Sequence, residues 1–493
     1  MRNILNHKTI WMTALAGILT ASSCTKDFDE MNVSPNSPTA IGPQYLLPTG
    51  IETAVDRYWG HRTRFERINI DAAELYVQHL TRNIYSNEGD DYTVSPALVA
   101  NNWKGFYNDS QLNFQRIIAL SGEGSANPNS NYEGVALVMR TWVFSLLTDL
   151  YGAIPYNDAI KGTAAESPVY TPKYDAMEVV YAGMLNDLKM ANEKLVVGGP
   201  AIAGDIMYAG DILKWKKFAN SLRLRLANRQ AAKKPAESKA IMTEIVSDAA
   251  KFPIFTSNAD NAQLNCTTVL PSNNEWNQVM KQDGRTDWNI SKTLADKMSA
   301  LDDARITKYA NANKDGKYEG HPNGLPDAIA TTYLATSSTI GNAFTAAEAP
   351  EVIMTFAELN FILAEAALDG EITGNAKTYF DAGVTASFAQ YGLVPSASFT
   401  TKLGAVTREK VLEQKWVALF GQGVEAWAEW RRTGFPVFPA PDPRAVLQNN
   451  GILPTRFPYP NSEYSLNADA VKAGEGLNGG PNDMKTKLWW SEK

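Results

Sequence analysis

The sequence predicts a mainly α-helical protein that carries long irregular loops. Three observations predict it. Apolar residues recur at helical spacing in window after window. The windows come in pairs joined by short glycine-containing breaks, and long Asn/Gly/Ser/Thr-rich stretches separate them. The chain has 493 residues, 44% of them hydrophobic, enough for a large core. No linker divides it, so residues 44–493 are expected to form a single domain.

The first element is an export signal. Arg2 and Lys8 supply a positive start, residues 10–19 are apolar, and Ala21, Ser22 and Ser23 are small and precede Cys24. The apolar run is roughly half of what spans a bilayer as a helix, so residues 1–23 are expected to be a signal peptide rather than an anchor. Cys24 directly after small residues is the pattern of a bacterial lipoprotein, with Ala21 where a leucine is usual. Cys24 is the expected lipid attachment site. Residues 24–43, acidic at first and then rich in Asn, Ser and Pro, are expected to tether the lipid to the globular domain.

Once the signal is removed, 44 basic side chains face 53 acidic ones, a net charge of −9. That balance argues against nucleic acid as a partner and against adsorption to anionic lipid by charge alone. Only Cys266 remains beside Cys24, so no intrachain disulfide is expected and stability must come from the core.

Helical stripes follow in order. Met177, Val180, Tyr181, Met184 and Leu188 share one face, and Trp215, Phe218, Ala219, Leu222 and Leu226 repeat the same offsets, with Arg223, Arg225 and Arg229 off the stripe. Phe356, Leu359, Leu363 and Ala366 form a third, and Leu412, Trp416, Leu419 and Phe420 a fourth. Further helices are expected near residues 103–120, 133–151, 376–391 and 425–431. Small residues such as Ala364, Ala366 and Ala367 let neighbours approach closely. The pairing resembles tetratricopeptide-type repeats, although no strict 34-residue period runs through the chain. Between the helices, residues 252–292, 311–350 and 434–493 read as loops. They hold many aromatics, among them Trp276, Trp288, Tyr309, Tyr318, Tyr333, Phe344, Tyr459, Tyr464, Trp489 and Trp490.

Motifs of catalysis are sparse. The histidines are His7, His61, His79 and His321, and no HExxH, CxxC, Walker loop or GxSxG occurs. The stretch from Asn311 to Gly316 begins like a calcium loop, but Pro322 stands where a bidentate glutamate is required, so it reads as a turn. Neither metal nor cofactor is expected. Adjacent acids at Asp90/Asp91 and Asp302/Asp303 leave a glycosidase-type carboxylate pair open as the rival reading: a surface glycoside hydrolase on an all-helical scaffold.

Ordered segments across nearly the whole mature chain resemble the SusD/RagB nutrient-binding outer-membrane lipoproteins, in the branch called SusD-like. These are Cys24-Thr25-Lys26-Asp27-Phe28-Asp29-Glu30; Thr148-Asp149-Leu150-Tyr151-Gly152-Ala153-Ile154-Pro155-Tyr156; Phe218-Ala219-Asn220-Ser221-Leu222-Arg223-Leu224-Arg225; and Trp430-Arg431-Arg432-Thr433-Gly434. The resemblance implies about four tetratricopeptide-like helix pairs with irregular loops carrying the ligand face. It implies a non-catalytic, lipid-anchored protein exposed on the outer membrane. Its partner would be a TonB-dependent SusC-like transporter, to which it delivers an oligosaccharide or a peptide. Arg431 and Arg432 are expected to serve the fold, by bonding helix-end carbonyls and pairing with acids. The candidate ligand residues are Tyr85 and Tyr92, which flank a turn-forming acidic stretch, and Trp276 and Trp288, which flank Asp283 and Arg285. Each group places aromatic faces, suited to sugar C–H faces, beside hydrogen-bonding side chains.

Overall fold

Apolar stripes at helical spacing bury one face of helices such as Met177–Lys194 and Ile212–Gln230, which follow from them. A computed structural model describes residues 41–60, 63–162 and 167–491. The signal segment, Cys24, most of the tether and His61 lie outside these residues. Residues from Pro43 onward form one compact unit.

The scaffold helices are α1 (Pro43–Trp59), α2 (Pro96–Gly105), α3 (Leu112–Ser121), α4 (Ser130–Tyr151), α5 (Met177–Lys194), α6 (Ile212–Gln230), α7 (Pro235–Ser247), α8 (Lys292–Ala300), α9 (Phe356–Leu368), α10 (Ala376–Ala389), α11 (Arg408–Ala418), α12 (Gly423–Thr433) and α13 (Ala468–Leu477). The fold is mainly helical, as the stripes predict, and it matches structures that contain tetratricopeptide-like pairs. All five stripe residues of α5 and all five of α6 are buried. Helices pack in series: α1 on α3, α3 on α4, α4 on α5, α5 on α6 and α6 on α7, with α9 against α6, α10 and α11. Closeness between α9 and α10 depends on Gly383, where a Cβ would come within 2.9 Å of the Phe361 ring.

Side chains set the helix ends. Asn129, Asp211 and Thr355 accept backbone N–H bonds at the starts of α4, α6 and α9. At the end of α4, Gly152 takes φ +90°, and any Cβ there would strike the Asn478 amide. The expected helix over 103–120 is two helices, α2 and α3, joined by a π-helical segment Phe106–Gln111. Arg57 fills the space at Gly105, where a Cβ would meet its guanidinium, and pairs there with Glu66 and Asp109.

The stretches expected as loops contain short elements. Strand β1 (Leu80–Arg82) pairs antiparallel with β3 (Trp288–Ile290), and β2 (Ala262–Leu264) pairs with β4 (Glu351–Met354). Helix α13 lies in the region expected to be irregular. Its Val471 alone among large apolar residues is buried, and Gly474 packs closely on Tyr174, so it shows no apolar stripe to read. Most loop aromatics are core residues: Trp276, Trp288, Tyr309, Phe344, Tyr459 and Trp490 are all buried. Buried indoles bond across long stretches of chain: Trp59 to the Val352 carbonyl, Trp416 to Val77, Trp427 to Pro454 and Trp490 to Asp149.

The arginines off the α6 stripe do not face solvent. Arg225 is bidentate to Glu358 at 2.7 and 2.6 Å. Arg229 bonds Asp149 at 2.8 Å, Glu429 at 3.2 Å and Glu425. Arg432 bonds Glu365 and Glu429, Lys415 pairs with Glu429, and Arg431 donates to the carbonyls of Asp149 and Thr455. Arg431 and Arg432 thus have the carbonyl-bonding and acid-pairing roles expected of them. Burial opposes ionisation of Glu429, yet Arg432, Lys415 and Arg229 outweigh it and hold its carboxyl well below the usual range.

Removing one partner leaves buried charge uncompensated, which costs about 3–5 kcal/mol. Arg229→Met, which strands Asp149 and Glu425, should lower stability by about that amount in urea unfolding; a loss under about 1 kcal/mol would place the network outside the stabilising core.

A second buried group has no such compensation. Asp56 on α1 faces Glu275, Glu52 and Glu351, and Arg57 opposes them only in part. Burial, then Glu275 and Glu52, raise its carboxyl from 3.8 to about 8. Because the folded chain holds this proton more tightly than the unfolded chain, the stability it contributes is complete below the unfolded value. It is lost as pH rises through about 8. Wild-type urea midpoints should therefore fall between about pH 5 and about pH 9, and Asp56→Asn should flatten that slope. Identical slopes for the two proteins would contradict the assignment.

Candidate functional site

The β1–β3 register brings two distant loops together. Arg82 opposes Trp288, and Asn83 continues the pairing by donating to the Asp287 carbonyl at 3.0 Å. Extending the same antiparallel register sets Tyr85 opposite Arg285. The Arg285 guanidinium lies 5.5 Å from the centre of the Tyr85 ring, and that of Arg64 lies 5.6 Å away. Tyr85 is 39% exposed. Its φ of +58° is a left-handed conformation, fixed by Asp327, which accepts the N–H groups of Tyr85 and Ser86 at 3.1 and 2.8 Å. Arg285 is held in turn by Asp287.

The remaining candidates fall elsewhere. Trp276 is fully buried against Trp59 and donates its indole N–H to the Trp59 carbonyl at 2.8 Å. Trp288 is buried beneath the guanidiniums of Arg82, Arg67 and Arg285. Neither indole offers a face to solvent, so both are core residues rather than stacking platforms. The physical reason is area: a large apolar ring gains more from burial than from a wet loop. Tyr92 is mostly buried, edge-on to Tyr76. Asp283 is exposed on the turn before Arg285. Asp90 is a structural group: it accepts bonds from Thr81, Asn323 and the Gly324 N–H, and burial pushes its carboxyl up to about 6 against those bonds.

A cleft of about 710 Å³ opens beside this region between α8 and the segment carrying Tyr318 and Tyr333. Its volume lies within the usual range for a ligand site. Lys292 and Asp296 project from α8, Glu319 adjoins Tyr318, and both tyrosines are half-buried. Tyr333 stacks on the buried His321 ring at 5.3 Å, nearly parallel, and its hydroxyl accepts a bond from Arg444 at 3.0 Å. Burial pushes His321 down to about 4, so the imidazole beneath Tyr333 is neutral near pH 7. Its Nδ1 lies 3.0 Å from the Ser337 hydroxyl and its Nε2 3.1 Å from the Arg82 carbonyl. A fixed ring among carboxylates, an ammonium and hydroxyls suits a polyhydroxylated ligand: the ring covers a sugar's C–H face, and the charged groups take its hydroxyls. In the sequence Tyr318 and Tyr333 look no different from the loop aromatics that plug the core. The available signal was local: Tyr318 sits between Lys317 and Glu319.

Residues 35–460 match the SusD-like family model described as starch-binding and associating with the outer membrane. Among solved structures, the chain is similar to a chitin-binding protein, with 28% identity over 92% of this chain and 100% of that one and a TM-score of 0.78. It is also similar to a chitin-binding SusD homolog from Flavobacterium johnsoniae (23% identity, 90% of this chain, 98% of that one, TM-score 0.77). A SusD homolog from Bacteroides uniformis shares 23% identity over 91% of this chain and 100% of that one, with a TM-score of 0.76. The two likenesses at 23% identity speak to the fold. No curated protein sequence matches the chain.

Proposed function

Because this chain belongs to the SusD-like family of non-catalytic, outer-membrane nutrient-binding proteins, we propose that it captures an oligosaccharide at the cell surface and passes it to a TonB-dependent SusC-like transporter. The observation that carries the oligosaccharide reading is the cleft of about 710 Å³, with Tyr318 and Tyr333 set among Lys292, Asp296 and Glu319. The Tyr85–Arg285 pair supplies an exposed aromatic with a charged partner. Membership of a non-catalytic family weighs against a surface glycoside hydrolase. The chain's 28% identity to a chitin-binding protein makes oligomers of N-acetylglucosamine the first cargo to test, with starch fragments and peptides beside them.

Tyr333→Ala removes the ring that stacks on His321 and faces the cleft. It should weaken oligosaccharide binding by about thirtyfold, the effect of losing an aromatic hot spot, while the thermal midpoint changes little. Calorimetry of wild type and variant checks this. Equal affinities would move the site to the Tyr85–Arg285 patch, and binding of peptides alone would replace the cargo class.

Anchoring rests on the signal pattern that ends at Cys24. In this reading residues 1–23 are removed, the new N-terminal cysteine is acylated, and residues 24–43 tether a single domain to the outer leaflet. Several acyl chains are needed for stable attachment, and a triacylated N-terminus provides them. Cys24→Ala should shift the protein from the membrane fraction to the soluble one. A variant that still sediments with membranes would contradict lipid anchoring.

A further inference from the structure

The large cleft does not end at Lys292 and Asp296. The same two side chains also wall a second cavity of about 180 Å³, bounded by Tyr92, Asn323, Leu447 and the segment from Pro439 to Asp442. That volume falls below the roughly 300 Å³ at which independent ligand pockets begin, so the small cavity is too small to hold a sizeable ligand alone. The two spaces are also close on their outer side. Arg444 donates to Asp442, on the wall of the small cavity, at 2.9 Å, and to the Tyr333 hydroxyl, on the wall of the large one, at 3.0 Å.

The divider between them is weakly held. Lys292 and Asp296 form an i,i+4 pair at 2.8 Å with side chains 55% and 62% exposed. Such pairs contribute little to stability, so their bonding capacity can be shared with a ligand at little cost. The ammonium has three donors, and the second carboxylate oxygen of Asp296 has no partner among the described residues. The small cavity differs in character: Pro439, Ala440, Pro441 and Leu447 line it together with polar residues such as Gln78, Asn323 and Asp442. It suits one ring face or one acyl substituent presented beside a polar group.

We infer that the two cavities are one groove, that its ligand is an extended oligomer rather than a mono- or disaccharide, and that Lys292 and Asp296 are specificity-determining residues where the chain crosses from one cavity to the other. This rests on the reading of the large cleft as the cargo site. An oligomer lying in the groove places successive rings over Tyr318 and Tyr333, meets the ion pair with its hydroxyls and inserts a terminal unit against the proline wall.

The test uses the mature protein and two defined series, N-acetylglucosamine oligomers and maltose-type oligomers, each from dimer to hexamer, measured by calorimetry. Affinity should keep rising beyond the trimer in the series that binds. Ala440→Trp fills the small cavity from an exposed position, and should reduce hexamer affinity on the order of tenfold while leaving dimer affinity and the thermal midpoint unchanged. Lys292→Ala and Asp296→Ala, whose residues line both spaces, should weaken dimer binding and weaken hexamer binding further. Affinity that levels off at the dimer, or an Ala440→Trp effect equal on dimer and hexamer, overturns the extended groove and leaves the cleft as a short-ligand site. Failure of both series to bind at any length overturns the oligosaccharide reading and this inference with it.

Discussion

Five buried cationic side chains lie where the scaffold helices meet; four take carboxylates from other helices, and Arg431 takes the carbonyls of Asp149 and Thr455. Arg225 and Arg229 come from α6, Lys415 from α11, and Arg431 and Arg432 from α12; Glu358 and Glu365 come from α9, Glu425 and Glu429 from α12, and Asp149 from α4. An unpaired charge at that depth would cost several kcal/mol. The helices are therefore held in the arrangement in which donors and acceptors meet. Hydrophobic stripes drive the helices together but do not specify their relative register. Bidentate contacts such as Arg225 on Glu358 tolerate little sliding.

The loops depend on that frame. Trp490, near the C-terminus, donates to Asp149, an acid that also receives Arg229 and the Tyr181 hydroxyl. Trp427 on α12 donates to the Pro454 carbonyl, and the Arg431 guanidinium lies 3.9 Å from its ring centre. Long segments without regular structure are thus pinned through aromatic plugs whose polar atoms are satisfied inside. The side chains left at the surface, Tyr85, Tyr318, Tyr333 and the α8 pair, rest on rigid ground. A binding face assembled this way loses little conformational freedom when a ligand arrives.

Helix existence was legible in the sequence wherever a stripe was strong, as in α5, α6 and α9. It was illegible where packing is one-sided or depends on glycine, as in α13. The interruption between α2 and α3 was equally hidden, because it answers to Arg57, a residue nearly fifty positions earlier. Candidate residues divided along the same line. Tyr85 and Arg285 are each marked by their own sequence neighbours, and the fold sets them close together. Trp276 and Trp288 carry the same local marks, and the fold buries them. Local chemistry cannot tell a ring that faces solvent from one that faces Trp59.

By itself the sequence determined the helical class, the apolar faces of the main helices, the acidic charge balance and the ordered segments that place the chain in its family, because these depend on residues near one another or on simple composition. Tertiary structure alone decided which aromatics are buried, which acids pair with the α6 arginines, and that Tyr85 meets Arg285. The reason is separation along the chain: a pair of three-residue strands about two hundred positions apart sets that meeting. Its register follows from packing and hydrogen bonding in the folded protein, with no periodicity in either strand to announce it.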